Sequence, residues 1–462
     1  MTRIFDMILV KPCNLRPFYN PGVQPPQCHN HLLHICSRWR EILLLNSVLW
    51  SHIDLAPGPS KSHLSRANFQ IDWASVLPLD IHITDVGMTE YYYDYELFQF
   101  LSLVAGRMKT LEFDITAVDL ELFHRVVFDN LFSGCSANFT KLTLILHHAE
   151  TNLCIGATSS SDSDDDGFND LHGITPSSEK SRPKFDDNLV GLKVLHLQGL
   201  FPTWESKAYH GLVDLRLTAS GPNWLLIEEL EFENILKSSP ELKILHLALY
   251  FKYSVHPRQH INPVRLKDLE VINLSTSLDY DSDDSALQIA NILRLLAPGS
   301  RPLRLSLDIN FYEEPLLTEL GQFLSRSSVT HLCTRGGYLP MGEPLCYGTN
   351  LKILVFNSCF YNIGYDLPLA DQVNSAPPSS SLSHLHSWYI RNSDMNSRDL
   401  RSLVNLYPNG TLVLSECRFV DHEGRPENIS EAELSTSFPT VKFIPRTNPL
   451  PDPTADWDLL QY

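Results

Sequence analysis

With 462 residues, 43% of them hydrophobic, the chain can bury a large core, either as about three domains on a prior of ~150 residues each or as one long repeat array. Its 36 basic and 54 acidic residues leave a net charge of −18, which argues against a main function built on nucleic-acid phosphates, since those contacts need clustered Lys and Arg. No segment reads as a signal peptide or reaches the ~20 apolar residues of a membrane span, and the nine cysteines follow no framework, so free thiols in a reducing intracellular compartment, cytoplasmic or nuclear, are expected.

The first structured element is expected in HLLHICSRWREILLLNSVLWSHIDL, residues 31–55. Leu32, Ile35, Trp39, Ile42 and Leu43 recur at helical spacing and predict one apolar helix face. Asn46 and Ser47 stop the helix, Val48, Leu49 and Trp50 form another apolar cluster, and His52–Leu55 alternates like a short strand. Trp39 is expected to serve mainly in packing. Cys28, His29, His31, His34 and Cys36 are metal-ligand types, but one short segment rarely supplies four ligands and no second pair follows at finger-like spacing. No metal and no cofactor are expected.

From about residue 105 to 417 one phrase keeps returning: an apolar residue, two others, then apolar-x-apolar. Clear copies are LKVLHL (192–197), LVDLRL (212–217), LKILHL (242–247), LEVINL (269–274) and LKILVF (351–356), with weaker ones around them. Their middle apolar residues are Leu111, Leu142, Leu195, Leu215, Leu245, Ile272, Leu305, Leu332, Leu354, Trp388 and Leu412. The steps run 31, 53, 20, 30, 27, 33, 27, 22, 34 and 24 residues, near the ~20–29 of a leucine-rich repeat. Amphipathic stretches such as 227–239, 286–297 and 316–328 supply return helices. The predicted fold is α/β, an irregular leucine-rich repeat solenoid of parallel strands with helices on the convex side.

The 53-residue step holds a Ser- and Asp-rich segment, about 156–187, expected to be a disordered loop because it has too little apolar surface to offset ordering entropy. Asp162–Gly167 imitates a calcium loop, but position 12 is Gly173 where a bidentate Glu is needed. Another Ser/Pro-rich loop spans 373–383, and residues 421–462 read as a cap or tail. No nucleophile elbow, phosphate loop or zinc-protease motif occurs, so a non-catalytic protein is expected.

The tokens Ile35, Cys36, Trp39, Arg40, Ile42, Leu49, Trp50, Ile53 and Leu55 resemble the second half of an F-box, in the form common in fungal F-box proteins with leucine-rich repeats. Ile4, Phe5 and Leu9 resemble the end of that family's first helix. Its Leu-Pro-x-Glu opening has no counterpart, and residues 10–30, with five prolines, are longer than the usual connection; either the opening lies upstream or the F-box is shortened. The resemblance implies a small helical F-box-like unit over 1–55, a solenoid over 56–420 and a terminal cap. It implies docking on a Skp-type adaptor, and through it a cullin, by Ile4, Phe5, Leu9, Ile35, Trp39, Leu49 and Trp50, while the repeats hold an unknown target protein.

Residues alternating with the inward leucines should line the concave face: His196, Arg216, His246, Asn273, Arg304, Asp308, Arg335, Tyr389 and Arg391. They lean basic, which suits an acidic or phosphorylated target, or is incidental. The function expected is substrate recognition in a cullin-RING ubiquitin ligase. The alternatives are a repeat scaffold whose F-box no longer recruits the adaptor, and an enzyme with an unrecognised site. No nucleic-acid or membrane partner is expected.

Overall fold

A strand that buries every second side chain and is followed by a helix must pair in parallel with the next such strand, because the helix carries the chain back. The computed structural model has this organisation and describes residues 34–56, 62–85, 95–115, 122–134, 138–147, 153–155, 173–174, 182–219, 226–252, 262–275, 285–309, 314–336, 345, 347–359, 385–406, 411–421, 425–426, 431–444, 454 and 457. The chain divides into two units, Met1–Ala208 and Tyr209–Tyr462. Each is an α/β leucine-rich repeat solenoid. Among the described residues no helix is long and apolar enough to cross a membrane.

The first unit holds five parallel strands: β1 (His52–Leu55), β2 (Leu79–Thr84), β3 (Met108–Ile115), β4 (Lys141–Leu146) and β5 (Val194–Gln198). Their registers align Ile53, Ile81, Leu111, Leu142 and Leu195 in one ladder, and Leu55, Ile83, Phe113, Leu144 and Leu197 in the next. All ten are buried. Two fully buried aliphatic side chains per strand contribute on the order of 3–6 kcal/mol per repeat. The helices Ser62–Ala74, Tyr95–Ala105, Leu122–Ser133 and Arg182–Leu189 lie between successive strands, and the Phe113–Phe128 ring contact at 5.5 Å places Leu122–Ser133 on the ladder side.

The second unit repeats the design with nine strands: β6 (Asp214–Thr218), β7 (Ile244–Ala248), β8 (Val271–Ser275), β9 (Leu303–Ile309), β10 (Val329–Gly336), β11 (Ile353–Cys359), β12 (Ser387–Arg391), β13 (Thr411–Ser415) and β14 (Val441–Ile444). The ladder runs Leu215, Leu245, Ile272, Leu305, Leu332, Leu354, Trp388, Leu412 and Val441. Its helix Glu229–Ser238 starts with a reciprocal cap, Glu228 with Glu231, and buries Phe232, Ile235 and Leu236. At Gly299 the chain passes so close to Lys267 that an added Cβ would lie 2.8 Å from the Lys267 Cα, a space only glycine fits. Where β10 to β13 end, the backbone turns through a left-handed residue, successively Gly336, Ser358, Asn392 and Glu416.

The array reaches further at both ends than the leucine phrase. β1 and β2 precede the first copy at 108–113, and β14 lies within the expected cap. Isoleucine and valine occupy their ladder positions, so the leucine phrase does not mark them. His52–Leu55 therefore pairs with β2 in the repeat sheet rather than closing a separate helical unit. The acidic segment is also partly ordered: Gly173–Ile174 pairs with Cys154–Ile155, and Arg182–Leu189 is helical with Leu189 buried. Burial of Leu189 and the bond from Asn188 Nδ2 to the Phe132 carbonyl, both just past that segment, anchor the helix that overlaps its end. The calcium-like run 162–167 and the loop 373–383 lie outside the described residues.

Candidate functional site

On the N-terminal helix α1 (Ser37–Leu45) only Leu43 is fully buried. Trp39, Ile42, Leu44 and Leu49 are half-buried, whereas Ile35, just ahead of the helix, is 57% exposed, Leu45 76% and Val48 66%. The continuous apolar face expected from Ile35 to Leu43 is thus not turned inward. Trp50 anchors the segment. It is 1% exposed, donates from Nε1 to the Leu43 carbonyl at 2.8 Å and meets Phe69 edge-to-face at 5.5 Å. Trp50 is thus buried within the first unit and holds this segment in place. Of the remaining adaptor residues, Ile35 is open and Trp39 and Leu49 are partly so; Ile4, Phe5 and Leu9 lie outside the described residues. His34 and Cys36 are exposed, and the other members of that Cys/His cluster also lie outside.

The residues chosen for the target face all occupy strand positions alternating with the ladder. In the second unit, register aligns Arg216, His246, Asn273, Ser306, Cys333, Val355, Tyr389 and Val413 in one row. Asp308, Arg335, Asn357 and Arg391 form a parallel row, and Arg304 lies beside His331 in a third. His196 stands in the first unit next to Thr143. The basic character is largely matched from within: Arg216 holds Asp214 through two bonds of 2.9 and 2.8 Å, and Arg335 faces Asp308 at 3.6 Å. Burial pushes the Asp308 carboxyl above its usual value, with Arg335 pulling the other way. His246 and Asn273 are buried and bond to each other at 2.7 Å. Their side chains are thus packed within the row.

The sequence reading missed what covers part of this face. Cys333 and Val355, neighbours in register, form an apolar trough edged by Ile353 and Tyr389, and Trp457 lies in it, 2% exposed. The Trp457 ring meets His331 edge-to-face at 5.0 Å, and its backbone N–H donates to the Thr454 carbonyl. A residue from the expected tail thus occupies the strand face of β10 and β11. The signal available in sequence was one row position filled on three successive strands by Cys333, Val355 and Tyr389, without a charged side chain, and a lone Trp in a polar, proline-bearing tail. Burial raises the Cys333 thiol to about 12 and the Cys417 thiol to about 12, and it raises Cys359 as well, which disfavours the thiolate form of all three.

No family model matches the sequence, and no curated protein matches it at a significant level. Solved structures similar to it include the leucine-rich repeat-containing protein LegL7 from Legionella pneumophila, at 14% identity over 84% of this chain and 96% of that one with a TM-score of 0.32. An internalin from Listeria monocytogenes aligns at 14% identity over 87% and 89%, TM-score 0.30. A leucine-rich repeat protein from Leptospira interrogans aligns at 12% over 87% and 98%, TM-score 0.31.

Proposed function

We propose that the chain is a non-catalytic, leucine-rich repeat protein-binding subunit, and more specifically the substrate receptor of a cullin-RING ubiquitin ligase. The observation that carries this reading is the contrast within residues 35–50. Trp50 and Leu43 fix the segment to the first unit, while Ile35, Leu45 and Val48 stay exposed on a stretch resembling the second half of an F-box. Exposed aliphatic side chains on a fixed helical segment suit docking onto the apolar surface of a Skp-type adaptor. The strand face would then hold the target, and the receptor would act by proximity, keeping that target near a ubiquitin-loaded enzyme.

Co-expression of the full chain with a Skp-type adaptor, followed by size-exclusion chromatography, tests this. A one-to-one complex that Leu45→Asp with Val48→Asp abolishes supports the receptor. Separate elution of two folded proteins refutes it. A second reading, a repeat scaffold that recruits no adaptor, is favoured by the apolar trough on the strand face of the second unit, which accommodates the Trp457 ring.

A further inference from the structure

The strand face of the first unit carries a different constellation. Register puts Asp54, His82 and Glu112 side by side on β1, β2 and β3, with Thr84 and Asp114 paired one alternation further along. His147 follows directly on β4. His82 is 3% exposed and has a carboxylate oxygen at each ring nitrogen: Asp114 Oδ2 lies 3.2 Å from Nε2 and Asp54 Oδ1 lies 3.4 Å from Nδ1. Asp54 Oδ1 also meets His52 Nε2 at 3.0 Å.

Asp114 is 4% exposed, and its second oxygen, Oδ1, is buried and accepts no hydrogen bond among the described residues. Folded proteins seldom leave a buried carboxylate oxygen in that condition, because it has given up water for nothing. His147 Nε2 stands 4.0 Å from it, too far for a hydrogen bond. Two atoms bound to a common ion at about 2.0–2.2 Å each lie roughly 3–4 Å apart, which is the spacing found here. Donor atoms of His82, Glu112 and Asp114 all fall within 4.8 Å of one another, so small side-chain rotations bring them onto one centre.

We propose that His82, Glu112 and Asp114, with His147 as a fourth donor, bind one divalent transition-metal ion on the strand face of the first unit. Imidazole nitrogen combined with carboxylate oxygen, and no thiolate, suits zinc, manganese, iron(II) or cobalt(II). It suits calcium and magnesium less, since they prefer all-oxygen sites, and copper(I) less, since it prefers sulfur. Asp54 at Nδ1 would hold the His82 ring with Nε2 turned to the ion, the carboxylate–histidine–metal arrangement that orients such ligands. The competing arrangement is a hydrogen-bonded His/Asp ladder without an ion, which leaves Asp114 Oδ1 unsatisfied.

The test uses the full chain, stripped with a chelator and titrated with Zn²⁺ by calorimetry and with Co²⁺ by visible absorption. The expected result is one ion per chain, a Co²⁺ spectrum without a thiolate charge-transfer band, and at least a tenfold loss of affinity in Asp114→Asn and in Glu112→Gln. Affinity should be unchanged in a His34→Ala, Cys36→Ser double variant, which removes the exposed ligand types near the N-terminus. Absence of stoichiometric binding, a thiolate band, or full affinity in both carboxamide variants overturns the proposal and leaves the ion-free ladder. If either variant unfolds by circular dichroism, His147→Gln, at a side chain 20% exposed, decides with the same tenfold criterion.

Discussion

Each unit has its own buried ladder, and the two differ in what stands between the rungs. In the first, the row beside the ladder reads Asp54, His82, Glu112, Thr143, His196, with Asp114 and His147 close by. In the second, the corresponding row passes from Arg216, His246 and Asn273 to Ser306, Cys333, Val355, Tyr389 and Val413, and Trp457 packs on its apolar part. Ladder positions face the helices and tolerate only large apolar side chains, because each rung packs against its neighbours. Positions between them are released from that duty. One fold therefore carries a row rich in histidine and carboxylate in one unit and, in the other, a row whose apolar stretch packs against Trp457.

The sharpest way to break the comparison is to write the first face into the second. Val355→Asp places a carboxylate, at a fully buried site beneath Trp457, in the row that holds Asp54 and Glu112 in the first unit. An unpaired buried charge costs several kcal/mol or forces water in, so the unfolding free energy of the second unit should fall by about 3 kcal/mol or more, and Trp457 should leave the trough. Urea denaturation reads the first effect, and alkylation of Cys333 followed by mass spectrometry reads the second. A stability within ~0.5 kcal/mol of the parent chain, the range of ordinary surface substitutions, would mean that the trough is not dry.

Removing the occupant should cost less. Trp457→Ala deletes a large buried ring, but one that packs on the strand face and not between ladder and helices, so a loss of about 1–3 kcal/mol is expected in place of the ~3–5 kcal/mol of a core Trp. Trp50→Ala, in the core of the first unit, should show the larger value. Alkylation of Cys333 should accelerate in Trp457→Ala and not in Trp50→Ala. Equal protection in both would show that the tail is not what shields Cys333.

The units should also part company at alkaline pH. Burial holds Cys333 and Cys417 near 12, from an ordinary 9.0, and Cys359 above its ordinary value too, whereas Cys36 of the first unit is exposed. A folded-state value above the unfolded one means that the stabilisation is complete below pH 9 and is lost as pH rises from there towards about 12. Hydrogen exchange or limited proteolysis at pH 8 and pH 10.5 should show the second unit loosening first. Cys417→Ala should flatten that dependence even where it lowers stability at pH 8.

The ladder was readable in sequence because its chemistry is periodic and demanding. The eleven residues picked from Leu111 to Trp388 and Leu412 all fall on the same ladder position of their strands, and even the long step before Leu195 keeps its place. Of the strands outside the leucine phrase, β1 was legible from the alternation of His52–Leu55, whereas β2 and β14 satisfy the same packing rule with Ile81 and Val441, so a search for leucine passes them by. The faces were far less legible. His82, Asp114 and His147 are separated by 32 and 33 residues and carry no local motif; only parallel register brings them together. Trp457 is further still from its trough, and His246 and Asn273 looked available until their burial and mutual hydrogen bond were seen. Position on the face was legible; exposure was not.

The smallest expected effect concerns how each repeat leaves its strand. At the ends of β10 to β13 the corner residue has φ of 88° at Gly336, 53° at Ser358, 44° at Asn392 and 58° at Glu416. This conformation costs a non-glycine residue roughly 1–2 kcal/mol. Ser358 and Asn392 recover part of it, since Asn392 Nδ2 donates to Ser358 Oγ at 3.1 Å and the Asn392 N–H donates to the Ser415 carbonyl at 3.0 Å. Glu416 is the strongest candidate for relief. Glycine there removes the Cβ strain but adds unfolded-chain entropy of about 0.5–1 kcal/mol, so Glu416→Gly should stabilise the second unit by only a few tenths of a kcal/mol up to ~1. Asn392→Gly, which loses the bond to Ser358, should be neutral or destabilising. Paired thermal melts of the two variants separate strain from hydrogen bonding at the same corner of successive repeats. Equal shifts would show that the backbone conformation alone sets the cost, and that the side-chain bonds between corners add nothing to it.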